Sequence, residues 1–227
     1  MTKTTASAYA DEQQIQLHRP DAGAALIVVD VQNGFTPGGN LAVNDGDKII
    51  PLINRLAAVF DNIIITQDWH PAGHISFAGS HPGKQPFETI ETHYGPQVLW
   101  PAHCVQGSRD AALHSDLHLP GAQLIIRKGY HKDIDSYSAF EEADHKTPTG
   151  LSGYLTERGI TTVYITGLAT DFCVAWTAMD ARKYGFNAWV IEDATKGIDI
   201  NGSLAAAWQA MESKGVRRIA SGSLLGA

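Results

Sequence analysis

Six short apolar runs, none alternating with polar residues, constrain the fold of this 227-residue chain. Residues 24–31 read Ala-Ala-Leu-Ile-Val-Val-Asp-Val, and similar stretches recur at 62–67, 123–127, 162–167 and 187–192, with a weaker one at 217–220. A strand with one wet face alternates, whereas a strand covered on both faces reads as a continuous apolar run. These runs therefore predict strands buried between two layers and argue against a half-exposed antiparallel sheet. Helical patterns lie between several of them, at 47–59, 149–158, 171–184 and 201–214. Gly159, Gly185 and Gly215 follow three of these helices, where a left-handed C-cap favours glycine. Strand–helix alternation at this spacing makes βαβ units, whose right-handed crossovers give a parallel sheet covered by helices. The expected class is α/β, in three α/β/α layers.

Charge and hydropathy remove several functions. The 17 Lys and Arg against 24 Asp and Glu give a formal charge of −7, which does not suit a grip on a nucleic-acid backbone. No stretch reaches the roughly 18 apolar residues of a membrane span, and residues 1–20 hold no continuous apolar signal segment. The expectation is a soluble, cytoplasmic protein with no membrane partner. Cys104 and Cys173 stand 69 positions apart in a chain long enough to need no staples, which suits a reducing compartment. Residues 1–20 precede the first strand and read as an extension, disordered or docked on a neighbouring subunit; a homo-oligomer stays open. Residues 21–227 read as one domain, with the His-, Pro- and Gly-rich segment 68–122 as a functional excursion from it.

In a parallel sheet, ligands bind beyond the carboxyl ends of the strands, so the residues just after each run matter most. The first run delivers Asp30, the second Asp68, the third Lys128, and the fourth leads through Gly167-Leu168-Ala169-Thr170-Asp171-Phe172 to Cys173. Singly, each has an ordinary reading as a turn, surface or core residue. Together, the topology brings two carboxylates, an ammonium and a thiol to one crevice. Cys173 falls in the first turn of a helix that Thr170 or Asp171 would cap, where the helix dipole is expected to lower its pKa from about 8.5 toward neutrality. Such a thiol is a nucleophile, with Asp30 as the acid and base and Lys128 holding the carboxylate ionised. The competing reading is a buried, inert thiol facing the core, and Cys104 reads as structural.

Five of the ten histidines lie between positions 70 and 103. Asp68-Trp69-His70 at a strand end puts the carboxylate and imidazole on one side of the backbone, and a distant histidine can close a metal shell. One carboxylate with two or three imidazoles suits a divalent ion: Zn²⁺ first, with Fe²⁺ or Mn²⁺ as alternatives. The competing reading is a loop whose histidines bond its own backbone. His81, His93, His114, His118, His131 and His145 lack such neighbours and read as surface residues.

These motifs resemble a known family. Asp30-Val31-Gln32-Asn33-Gly34-Phe35, Gln67-Asp68-Trp69-His70, His74-Ile75-Ser76-Phe77, Trp100-Pro101-Ala102-His103-Cys104, Arg127-Lys128-Gly129 and Gly167 through Val174 resemble, in order, the nicotinamidases of the isochorismatase-like cysteine hydrolase superfamily. The resemblance runs from about residue 24 to residue 220. It implies a six-stranded parallel sheet, a catalytic triad of Asp30, Lys128 and Cys173, and a metal held by Asp68, His70 and His103. His74 matches a histidine that some members bring to the metal or its bound water. It also implies a cis peptide between Leu168 and Ala169, an oxyanion hole from the backbone N–H groups of Ala169 and Cys173, and an aromatic pocket of Phe35, Trp100 and Tyr137. The implied reaction converts nicotinamide to nicotinic acid and ammonia through a thioester, with pyrazinamide as a further substrate. The alternatives are a metal-free amidase or isochorismatase-type hydrolase of the same superfamily, and a non-catalytic binding protein on the same fold. A dinucleotide-dependent oxidoreductase is disfavoured because no Gly-x-Gly-x-x-Gly follows any strand.

Overall fold

A computed structural model describes residues 18–226. Its strands are β1 (Ala24–Val29), β2 (Asn62–Asp68), β3 (Thr89–Thr92), β4 (Gly95–Val98), β5 (Leu124–Lys128), β6 (Thr162–Leu168), β7 (Asn187–Lys196) and β8 (Arg217–Ile219). Six of them form one sheet in the order β5-β2-β1-β6-β7-β8, every pair parallel. The strand order reverses between β1 and β6, which opens a crevice beyond their carboxyl ends. The helices are α1 (Ile50–Ala57), α2 (Leu151–Glu157), α3 (Ala175–Lys183), α4 (Ser203–Ser213) and α5 (Gly222–Leu225).

The absence of alternation in β1 has a direct cause, since all six of its residues are buried. Leu26 and Val28 join one core cluster with Ile50, Ile53 and Leu56 of α1 and Leu224 of α5. Ala25, Ile27 and Val29 join the other, with Leu151 and Leu155 of α2, Ala175, Ala178 and Ala181 of α3, and Met211 of α4. Three α/β/α layers result. Fully burying one such aliphatic side chain contributes about 1.5–3 kcal/mol, so β1 is the spine of both cores. Gly159, Gly185 and Gly215 all have positive φ just after α2, α3 and α4, as expected of C-cap residues.

Helix limits moved inward. The pattern at 47–59 is a 3₁₀ turn, Gly46–Ile49, followed by α1 only from Ile50, with Pro51 in the first turn, where its missing N–H costs nothing. The 171–184 pattern opens with a wide π-helical turn, Thr170–Val174, before α3. Between β2 and β5, the long excursion holds the antiparallel hairpin β3–β4 and otherwise turns. Most of the extension expected at 1–20 lies outside the described residues; within them, the His18 N–H donates to the Ser223 carbonyl at 2.7 Å. Among the described residues, no helix is long and apolar enough to cross a membrane.

Candidate active site

Four strand ends supply the site. Asp30 follows β1 with φ 47°, and Asp68 ends β2 in register with Lys128 at the end of β5. From β6 the chain passes through a cis Leu168–Ala169 peptide into the turn that carries Cys173. Lys128 is the hub of this edge. Its Nζ lies 2.8 Å from Asp30 Oδ2, 3.0 Å from Asp68 Oδ1 and 3.3 Å from Cys173 Sγ, and it donates to the Ser136 carbonyl at 3.0 Å. Asp30 is fixed on its other side by Thr66, whose hydroxyl donates to Oδ1 at 2.6 Å and accepts the Asp30 N–H at 3.1 Å.

Burial sets the electrostatics. It pushes the Asp30 carboxyl above its ordinary value despite the opposing Lys128 charge, with Asp68 adding to the rise. Burial acts against the Lys128 ammonium, but Asp30 and Asp68 hold it well above the usual lysine range. The Cys173 thiol is likewise pushed well up by burial, against the pull of Lys128. The direction is opposite to the one expected from the helix start: Cys173 is only 7% exposed, and its desolvation outweighs the pull of Lys128. Capping is corrected too. Thr170 Oγ1 donates to Thr195 Oγ1, and the Asp171 carboxylate accepts from the N–H groups of Ile198 and Asp199 and from the Ser203 hydroxyl, so neither caps the turn.

Beside the triad, Asp68 Oδ2 lies 2.9 Å from His70 Nε2 and 3.2 Å from His103 Nε2, all three residues buried. The Nδ1 of His70 points at the Gly129 carbonyl at 2.9 Å and that of His103 at the Pro101 carbonyl at 2.8 Å. Both Nε2 atoms turn toward the carboxylate while each Nδ1 is tied to a backbone carbonyl, the usual arrangement of imidazole ligands. All three groups aim a ligand atom at one place, where a cation can stand. Their spacing suits one: ligands at about 2.0–2.1 Å from a tetrahedral ion lie roughly 3.3 Å apart. These residues fit a divalent metal. Gly129 makes room for the His70 ring, because a Cβ there would sit 2.5 Å from His70 Cε1. Burial raises Asp68, yet His70 and Lys128 hold its carboxyl well below the usual range.

His74 is placed differently. Its ring packs against that of His70 with centroids 4.1 Å apart, while Nδ1 meets the Ser76 hydroxyl at 2.7 Å and Nε2 the Ile134 carbonyl at 3.0 Å. Both nitrogens are engaged by protein, and burial with the nearby His70 charge lowers its pKa to about 4. In this arrangement it supports the His70 ring and joins a separate group with His70 and Asp135, outside the Asp68–His70–His103 set.

A narrow pocket with about 20 Å³ of free space joins the two corners, lined by Asp68, His70 and His103 on one side and Ala169 and Cys173 on the other. Phe35, Trp100 and Tyr137 all line it. Trp100 Nε1 donates to the Tyr137 hydroxyl at 3.0 Å, which locks the two rings at right angles. The Ala169 N–H meets no protein acceptor among the described residues. Sequence reasoning missed Phe172, edge-on to Trp100 at 4.8 Å, and Asp135, a buried carboxylate facing the pocket. Phe172 was legible as the neighbour of Cys173, whereas nothing in the sequence flagged Asp135. Cys104 is buried and unpaired, its N–H bound by Asp110 and its carbonyl accepting from the His70 N–H. His131 and His145 pair with the buried Glu142 and Glu141 on the outside of the protein.

Residues 24–221 match the isochorismatase domain. The chain belongs to that family. Within it, the chain is 70% identical over 201 residues to a nicotinamidase of Acinetobacter baylyi, covering 88% of this chain and 94% of that one. A solved nicotinamidase and pyrazinamidase from Acinetobacter baumanii superposes with a TM-score of 0.88 at 70% identity, covering 88% of this chain and 97% of the other. The pyrazinamidase of Pyrococcus horikoshii, solved in complex with zinc, matches with a TM-score of 0.71 at 37% identity, over 87% of this chain and 99% of that one. These matches place the chain among the nicotinamidases of the isochorismatase family.

Proposed function

We infer that this chain hydrolyses nicotinamide to nicotinic acid and ammonia through a thioester on Cys173, and accepts pyrazinamide as a second substrate. The observation that carries the reading is the position of Lys128 Nζ, in contact with Asp30, Asp68 and Cys173 at once, so that base, nucleophile and cation site meet at one ammonium beside a small aromatic pocket. A flat heteroaromatic ring suits Phe35, Trp100 and Tyr137, and its carboxamide then falls between Cys173 and Ala169.

The chemistry follows from the groups present. Cys173 rests as a neutral thiol, and Asp30, a stronger base than an ordinary aspartate, takes its proton as the sulfur adds to the carboxamide carbon. Lys128 stabilises the charge that moves between them. The oxyanion is held by the N–H groups of Ala169 and Cys173. Asp30 returns its proton to the amide nitrogen, which leaves as ammonia. Asp30 then takes a proton from water as the water attacks the thioester, and gives it back to the sulfur as the acid departs. Asp68, His70 and His103 would hold the divalent ion, Zn²⁺ by this reading. When bound it supplies a positive pole that orients the ring nitrogen and so the carboxamide. Residues 21–227 act as one hydrolase domain, and two free thiols with an acidic surface suit the cytoplasm.

Ammonia release from nicotinamide, pyrazinamide and benzamide by the purified protein tests the reading. Turnover of the first two and poor turnover of benzamide, which lacks the ring nitrogen, is expected. Equal turnover of benzamide would remove the ion's orienting role, and no release from nicotinamide would overturn the substrate.

A further inference from the structure

Asp135 is a buried carboxylate with no use in the mechanism above. Only 2% of its surface is exposed, and it lines the same pocket as Asp68, His70 and His103. It is held firmly. Oδ2 accepts from Gln97 Nε2 at 2.7 Å and Oδ1 from the Ser136 N–H at 2.9 Å. Gln97 is itself fixed, donating to the Val98 carbonyl at 2.7 Å and accepting from the Tyr94 hydroxyl at 3.0 Å. The hairpin β3–β4 thus aims this carboxylate from outside the sheet. No lysine or arginine among the described residues pairs with it; its basic neighbours are His70, whose Nε2 lies 4.0 Å from Oδ1, and His74.

Two facts give it a role. First, Asp30 and Asp68 share a single ammonium, Lys128, and Asp135 has no lysine or arginine partner among the described residues, so buried carboxylates outnumber buried ammonium groups here. Buried anions need a counter-charge, and one divalent cation supplies it. Second, 4.0 Å is too long for a direct hydrogen bond, so Asp135 Oδ1 stands beside His70 without bonding it and is left to take another partner. Asp68 Oδ2, at 2.9 Å from the same nitrogen, is a ligand by comparison.

We propose that Asp135 is a positioning residue of the cation site: it accepts a hydrogen bond from water on the ion and supplies the second negative charge that fixes the ion's affinity. The proposal rests on the reading that Asp68, His70 and His103 hold a divalent metal. His74 completes the arrangement, since its bond to the Ile134 carbonyl ties the loop carrying Asp135 to the ring stacked on His70.

The test is a Zn²⁺ titration of chelator-stripped protein against a chromophoric competitor, with melting temperatures of the stripped and loaded forms, for wild type and Asp135→Asn. Asp135→Ser removes the carboxylate and leaves room for water beside Gln97, so it makes the same test if the Asn variant does not fold. The variants should bind one Zn²⁺ per chain with a Kd raised about 10- to 100-fold. Their stripped forms should melt no lower than stripped wild type, because an uncompensated charge is gone, and should gain less on loading. A carboxylate that only anchors Gln97 and Ser136 would do the opposite, lowering the melting temperature of the stripped protein and leaving Kd unchanged; that result overturns the proposal. Wild type that binds no Zn²⁺ would instead remove the metal reading on which it rests.

Discussion

The two corners of the pocket are built from similar residues and differ in how they are satisfied. At the triad corner, Asp30, Lys128 and Cys173 come from strand ends and partner one another at 2.8 and 3.3 Å, with Thr66 closing the last gap. At the second corner, Asp68 comes from the sheet, but His70 and His103 belong to the excursion, and the three offer ligand atoms to one place. The first corner's groups partner one another, and the second has the residues to hold a cation. Lys128 touches both.

That shared lysine is where the comparison breaks first. Lys128→Met should abolish turnover and leave Asp30 and Asp68 buried without their ammonium, which costs about 3–5 kcal/mol when one partner of a buried pair is removed. Urea denaturation of the variant checks this; a stable, inactive protein would mean that the corners are independent. Metal removal separates them by the opposite route. A chelator should lower nicotinamide turnover about a hundredfold through misplacement of the ring, while alkylation of Cys173 by iodoacetamide changes little. If alkylation falls in step with turnover, the ion acts on the nucleophile as well.

The fold and the gathering of Asp30, Asp68 and Lys128 at one edge were legible because parallel topology does the placing. Once the apolar runs are read as buried strands, Asp30, Asp68 and Lys128 must stand at one edge, and the register that pairs Asp68 with Lys128 follows from neighbouring strands. Burial was not legible. It reverses the expected direction at Cys173, since a helix start lowers a thiol's pKa only where solvent or charge can compensate for desolvation. Asp135 escaped for another reason: its place depends on a loop after β5 and a hairpin formed between β2 and β5, neither of which carries a periodic pattern. The family resemblance offers His74 to the metal or its bound water, and only the three-dimensional structure shows both its nitrogens engaged by Ser76 and Ile134.

The pH dependence sharpens the electrostatic half. Asp30 must be ionised to accept the thiol proton, so kcat/KM should fall as pH drops through its raised pKa, with the acid limb above the ordinary aspartate value of about 3.9. Alkylation of the free enzyme should keep rising beyond pH 8.5, the value of an ordinary thiol. A plateau near neutrality would restore the helix-lowered thiol expected from sequence. Stability has its own sign. A carboxyl whose folded pKa is raised favours the folded state below that value and loses the contribution as pH rises through it, so Lys128 must offset Asp30 at neutral pH. The smallest effect is expected at the aromatic wall. Tyr137→Phe removes the acceptor of the Trp100 indole N–H, worth about 1 kcal/mol, and should raise KM roughly fivefold with kcat unchanged.

The central claim is that one thiol does the chemistry and the cation site only positions the ring. The most direct measurement is ammonia release from nicotinamide by Cys173→Ala loaded with Zn²⁺ to one ion per chain. The account predicts a folded, metal-bound protein with turnover reduced by more than about a thousandfold. Turnover within tenfold of wild type would contradict it, because the hydrolysis would then proceed without the thioester.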